Sequence, residues 1–178
     1  GHKTETVQSE ANNPTSWKQN TESVSGKWDL VVVGSSQMVE VLDTVAPKFP
    51  QQKYLIYDDV VKQPNVASIT FKQNEGSFLA GVLAALVTTT KDQFSKATGS
   101  KVVGLVGGMD IPIINDFLVG FKKGVATVDP AIQVKSGFVG NFTDADKGYS
   151  IAKSMFDQDK ADVVYQVAGG AGIGVLKA

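Results

Sequence analysis

Asp58 closes the run Lys53–Asp58 (KYLIYD), and Tyr165 stands four residues before Gly169 in the run Asp162–Ala168 (DVVYQVA). A carboxylate at a strand end can accept hydrogen bonds from sugar hydroxyls. It can equally cap a helix or lie in a solvated turn, here with Asp59 beside it. Both roles are open to Asp58. Tyr165 has an amphipathic ring suited to stacking on a planar ligand, or it packs in a core, as aromatic residues usually do. Around these two lie glycines that follow apolar runs: Gly34, Gly107, Gly108, Gly169 and Gly170. Tight strand-to-helix turns need such glycines, and their recurrence also marks places where backbone can approach a ligand. The chemistry on offer is that of a binding surface: hydroxyl acceptance, stacking and accessible backbone.

Other chemistries lose their reagents in the composition. The chain of 178 residues has no cysteine, which removes thiol catalysis, disulfides and thiolate metal sites. Its one histidine is His2, so no His-based triad or His metal cluster exists here. Every basic residue is lysine, so no guanidinium is available to clamp a phosphate or carboxylate. These absences argue against most hydrolases and against a phosphorylated ligand. A net charge of -1 gives no electrostatic footprint for nucleic acid. Gly170-Ala171-Gly172 starts a dinucleotide fingerprint, but Val175 stands at its third glycine, and no Walker A loop is present. Asp110, Asp116, Asp144 and Asp146 read as surface or capping residues. Phe117, Phe121 and Phe156 sit at helical spacing and read as core.

The elements that must position the candidates alternate. Lys101–Gly107 is a near-continuous apolar run, the pattern of a strand buried on both faces. After it, Ile114, Phe117, Leu118, Phe121, Val125 and Val128 recur at helical steps, with Pro112 placed for the first turn. Lys27–Gly34, Lys53–Asp58, Asn65–Phe71, Gln133–Val139 and Asp162–Ala168 read as further strands, and Lys3–Ser9 as a polar, alternating one. Helices are expected at Trp17–Val24 (capped by Ser16), Gln37–Phe49, Glu75–Thr90 and Asp146–Asp157. The segment Phe78–Val87 is too short for a membrane span and reads as a buried helix. Lys91–Ser100 is polar and reads as a linker. The fold expected is α/β, with two parallel sheets in a lobe over residues 1–98 and a lobe over 99–178. In such sheets ligands bind beyond the strands' carboxyl ends.

Three runs carry a resemblance: Gly76–Gly81 (GSFLAG), Val106–Phe121 (VGGMDIPIINDFLVGF) and Asp162–Val175 (DVVYQVAGGAGIGV), with Pro64-Asn65-Val66 and Lys3–Glu10 in matching order. Together they resemble the basic membrane protein family, bacterial solute-binding lipoproteins of nucleoside ABC transporters. The resemblance implies two lobes of the type I periplasmic-binding-protein kind closing on a nucleoside, with transport and no catalysis. It implies a lipid anchor upstream, an extracytoplasmic, membrane-anchored location and an ABC permease as partner. By the same resemblance this is an internal segment, incomplete at both ends. Asp58 would bind ribose hydroxyls, Tyr165 would stack on the base, and Gly170 would offer backbone to the ribose. Gly34, Ser35, Gly108 and Met109 would border the cleft. Ala171 replaces a threonine common in the family, which removes one hydroxyl contact. Two rival readings are the effector domain of a transcription regulator, by fold analogy, and a nucleoside- or sugar-processing enzyme. No cofactor is expected.

Overall fold

The apolar runs become parallel strands in two separate three-stranded sheets, as a computed structural model describes them over residues 1–178. The chain divides into two compact units, Gly1–Phe71 and Lys72–Ala178.

In the first unit, helix α1 (Pro14–Val24) precedes strand β1 (Leu30–Gly34), helix α2 (Val39–Val45), strand β2 (Lys53–Tyr57) and strand β3 (Val66–Ile69). The order is β1-β2-β3, with Val31 paired to Tyr54 and Tyr54 to Val66. Asn13, not Ser16, caps α1. Its side chain accepts from the Ser16 N–H, and Pro14 fills the first turn, where a missing N–H costs nothing. Pro47 limits the next helix: α2 is flanked by 3₁₀ turns at Ser36–Met38 and Ala46–Lys48 instead of running from 37 to 49.

One face of this sheet forms the core, where Val31, Tyr54, Ile56 and Val61 meet Leu42 and Ala46. Tyr54 is fully buried, and its hydroxyl donates to Ser25 Oγ at 2.6 Å, which donates to the Thr21 carbonyl. That chain satisfies the polar tip of the ring inside an apolar core. The other face leaves Leu30 and Val32 exposed, so β1 alternates between a core face and a solvent face. Lys3–Ser9 is no strand. It has no strand neighbour, and side chains of α1 anchor the chain at and just past the end of the segment, Asn20 Nδ2 donating to the Gln8 carbonyl and Trp17 Nε1 to that of Glu10.

The second unit begins with helix α3 (Gln73–Thr89), followed by β4 (Val102–Gly107), α4 (Pro112–Val128), β5 (Gln133–Phe138), α5 (Ala145–Asp157), β6 (Val163–Val167) and α6 (Gly172–Lys177). The order is β5-β4-β6, all parallel. The central strand β4 is buried on both faces. Val103 and Leu105 face α3 and α4 with Ala84, Ala85, Phe121 and Val125. Val106 faces α5 and α6 with Ala152, Met155 and Val175.

Helix α3 belongs to this unit, so the division falls at 71/72 and not near residue 98. Its small side, Ser77, Gly81, Ala84, Ala85 and Thr88, is the buried one. A Cβ at Gly81 would overlap the Phe121 carbonyl, and one at Gly124 the Phe78 carbonyl, so the two helices touch backbone to backbone. The polar stretch 91–100 is therefore a loop inside the unit. Asp162, just before β6, fixes it by accepting from Thr98 N (2.6 Å), Thr98 Oγ1, Gly99 N, Ser100 N and Ser100 Oγ, and from Thr88 Oγ1 (2.5 Å).

No helix is long and apolar enough to cross a membrane.

Candidate functional site

The strand carboxyl ends of each unit carry the candidate residues. In the first unit, Ser35 follows β1 and donates its N–H to the Tyr57 carbonyl at 3.1 Å, while the Asp58 N–H donates to the Ile69 carbonyl at 2.9 Å. The ladder thus extends one residue past β1 and β2 and brings Gly34, Ser35 and Asp58 to one rim.

Both Ser35 (φ 78) and Asp58 (φ 68) adopt left-handed backbone. For Asp this is tolerated, since its short side chain can bond locally. Ser35, with ψ 156, lies in a region that is almost restricted to glycine. Strain of this kind persists where surrounding structure over-determines it, and it clusters at binding sites. The Tyr57 ring lies across Gly34, and a Cβ there would overlap it. Ser36 Oγ is buried without a hydrogen-bond partner.

In the second unit, Gly108 sits between the ends of β5 and β6. Its N–H donates to the Val167 carbonyl, and its own carbonyl accepts from Gly140 N at 2.7 Å. The Phe142 ring covers Gly108, where a Cβ would overlap it, and lies close to Gly169. The Phe142 carbonyl accepts from Ala171 N at 3.0 Å, which fixes the turn carrying Gly169 and Gly170. Both of these glycines are exposed, and Gly169 has φ 55. Met109 is half-buried beside Gly108, and Asp110 accepts from Asn115 Nδ2 at 2.7 Å.

Tyr165 is not on this rim. It is the third residue of β6, paired with Leu105, and its ring stacks on Phe121 at 5.5 Å between centroids, among the side chains that face α3 and α4. The physical reason is strand parity: Tyr165 shares its face with Val163 and Val167, and that face is the core. The aromatic ring at the strand ends is Phe142, from the loop that follows β5. Tyr57 and Ser36 were likewise not among the sequence candidates. A bulky aromatic in the polar run Asn141–Asp144 was the one available signal for Phe142.

No group of three or more His, Cys, Asp or Glu could hold a metal ion. The carboxyl furthest from its ordinary range is Asp162, at the opposite end of the sheet. Burial pushes it up, but the hydrogen bonds from Thr88, Thr98 and Ser100 outweigh that and hold it at about 2. It is a structural acceptor.

Residues 3–178 match the family described as "ABC transporter substrate-binding protein PnrA-like". The chain belongs to this family. It is a family of substrate-binding proteins, whose role is binding and not catalysis. The chain is 39% identical over 138 residues to the "ABC transporter nucleoside-binding protein BmpA" of Lactococcus lactis, covering 77% of this chain and 36% of that protein. It is 36% identical over 155 residues to the "CD4+ T-cell-stimulating antigen" of Listeria monocytogenes, covering 86% of this chain and 40% of the relative. Among solved structures, a solute-binding protein of an ABC transporter system from Aeropyrum pernix superposes with a TM-score of 0.83 at 32% identity, over 94% of this chain and 46% of that one. The chain therefore spans less than half the length of these relatives. PnrA-like architecture accounts for parallel strands, of which β1, β4, β5 and β6 end in or just before a glycine: such ends leave backbone accessible to a ligand.

Proposed function

We propose that this chain is the nucleoside-recognising part of an extracytoplasmic solute-binding protein that feeds an ABC permease. The protein is held at the membrane by a lipid anchor lying outside residues 1–178. The observation that carries the reading is the family match across residues 3–178, joined to a relative named for nucleoside binding. The strand-end chemistry supports it. Asp58 offers a carboxylate to the ribose hydroxyls, Gly170 offers backbone, and Gly34, Ser35, Gly108 and Met109 form the rims. Phe142, in place of Tyr165, offers an aromatic face to the base. Stacking of this sort tolerates many bases, because every base has a π-face. Residues 1–178 contain no arginine and so offer no bidentate guanidinium grip on a phosphate. Purine bases, having the larger π-face, are the preferred ligands.

Because the relatives are more than twice as long, the test uses protein from the whole reading frame. Calorimetric titration with adenosine, guanosine, uridine and the corresponding monophosphates should give saturable binding for nucleosides, purines ahead of uridine, and at least tenfold weaker binding for the monophosphates, about 1.4 kcal/mol. Binding of free sugars in preference to every nucleoside would overturn the reading.

A further inference from the structure

One side chain reaches both ends of the glycine turn that follows β6. Strand β6 reads VVYQV, with a single amide, Gln166, among aliphatic and aromatic neighbours. Strand parity puts Gln166 on the face opposite Tyr165, where Val164 packs toward α5 and α6. A half-buried amide on an apolar face costs free energy unless it is hydrogen-bonded. Gln166 is bonded to the turn itself. Ala168 is fully buried and lies one residue past the last ladder pair, Gly107–Val167, and its N–H donates to Gln166 Oε1 at 3.2 Å. The same amide lies against Gly172, where a Cβ would overlap Oε1 and Cδ.

Ala168 and Gly172 are the two ends of the turn, and Gly169 and Gly170 are the exposed residues between them. Ala171 is held separately. Its N–H donates to the carbonyls of Phe142 and Ala168, and Gly148 of α5 comes so close to its own carbonyl that a Cβ would overlap it. Gly169, at φ 55, and Gly170 have no side chain to anchor them, and glycine has the widest choice of backbone conformations. Gln166 braces the ends between which these two residues are strung.

We propose that Gln166 is a positioning residue for the ligand: by bracing the turn from Ala168 to Gly172, it sets the direction in which Gly170 presents its backbone to the ribose. The inference rests on the nucleoside reading above. A turn already held in its binding geometry spares the ligand the cost of ordering it, and the saving appears as affinity. Only the part of the ligand that meets the turn benefits. Gln166 therefore governs affinity for the sugar and not for the base, acting through the turn.

Calorimetric titration of guanosine and of guanine into protein from the whole reading frame tests it with three variants, circular dichroism serving as the check on folding. Gln166→Met keeps the length of the side chain and removes the acceptor. Gln166→Glu keeps the shape and the acceptor. Gly172→Ala leaves Gln166 in place, but the added Cβ takes the space of the amide, which must swing away. The backbone at Gly172 is helical (φ -62, ψ -20), so alanine is unstrained there. Gln166→Met and Gly172→Ala should each weaken guanosine by about tenfold, which the loss of one well-placed hydrogen bond accounts for. Each should weaken guanine by less than about threefold, and Gln166→Glu should stay within about threefold of the parent for both ligands. Amide exchange at Ala168 and Gly169 should quicken in the first two variants and not in Gln166→Glu. Equal losses for guanosine and guanine, the mark of a unit loosened as a whole, overturn the proposal. So does Gln166→Glu binding guanosine as weakly as Gln166→Met. A parent that binds guanosine, with Gln166→Met and Gly172→Ala matching it, overturns this inference alone. A parent that binds no nucleoside overturns the functional reading and this inference with it.

Discussion

Removing the Asp162 carboxylate should destabilise the second unit and leave the first untouched. Asp162 accepts six hydrogen bonds, three of them from the successive backbone N–H groups of Thr98, Gly99 and Ser100. They join the end of α3, the 98–100 loop and the start of β6. The carboxyl is held at about 2 against an ordinary 3.8. A depressed carboxylate contributes stability that is fully present above the unfolded value and is lost as pH falls through the folded one. The difference corresponds to about 2 kcal/mol at neutral pH. Asp162→Asn should cost about that much. Asp162→Ala, which also strands the loop N–H groups, should cost about 1–3 kcal/mol more. The assay is urea unfolding at pH 7 and in steps from pH 5 to pH 2. Tryptophan fluorescence is read beside amide exchange in β4 and β6. Trp17 and Trp28 both lie in the first unit, so the fluorescence transition should not move, while exchange in β4 and β6 accelerates. Between pH 4 and pH 2 the parent should lose its advantage and converge on Asp162→Asn. A constant gap across that range, or a gap at pH 7 below about 0.5 kcal/mol, would refute the reasoning.

Other perturbations follow from the same contacts. Gly124→Val would drive a side chain into the Phe78 carbonyl and should cost about 3 kcal/mol or more in chemical denaturation, because backbone cannot move aside as a side chain can. Tyr54→Phe removes the buried hydroxyl that donates to Ser25 and should lower stability by about 1 kcal/mol, visible in the tryptophan-monitored transition. Ser35→Gly relieves the glycine-like backbone at the end of β1. It should raise the melting midpoint of the first unit by an amount equivalent to about 1 kcal/mol. Gly108→Ala should displace the Phe142 ring and weaken nucleoside binding in calorimetry while far-UV circular dichroism stays the same.

What could be read from sequence tracks how one-sided each segment is. The run Val102–Gly107 is apolar at every non-glycine position, and only a strand covered on both faces satisfies that, so the centre of the second sheet was legible. Helix α4 carries one apolar face and was legible for the same reason. Helix α3 is apolar all round. Its leucines face outward and its small residues inward, so periodicity gave no face and hence no unit. The polar loop at 91–100 then looked like a boundary, because the acceptor that ties it down, Asp162, lies more than sixty residues away. On the rim, glycines at strand ends announced Gly34, Gly108 and Gly170. Parity hid Tyr165: a short strand with apolar residues on both faces does not say which of its alternate residues faces the core. Phe142 came to the strand ends through the turn geometry of 140–144, which a single sequence does not print.

The central claim is that a carboxylate at the end of β2 recognises the sugar of a nucleoside, and a binding cycle on Asp58 tests it most directly. Asp58→Asn is the variant of choice, since Asn accepts the left-handed backbone that Asp58 adopts. In protein from the whole reading frame, guanosine and guanine are each titrated into parent and variant. The account predicts that the variant loses about 1.5–3 kcal/mol toward guanosine, roughly ten- to a hundredfold, because a charged acceptor of the ribose hydroxyls is gone. Affinity for guanine should change by less than about threefold, within the scatter of a substitution that touches no ligand atom. An equal loss for guanosine and guanine, or no loss for either, would contradict the assignment.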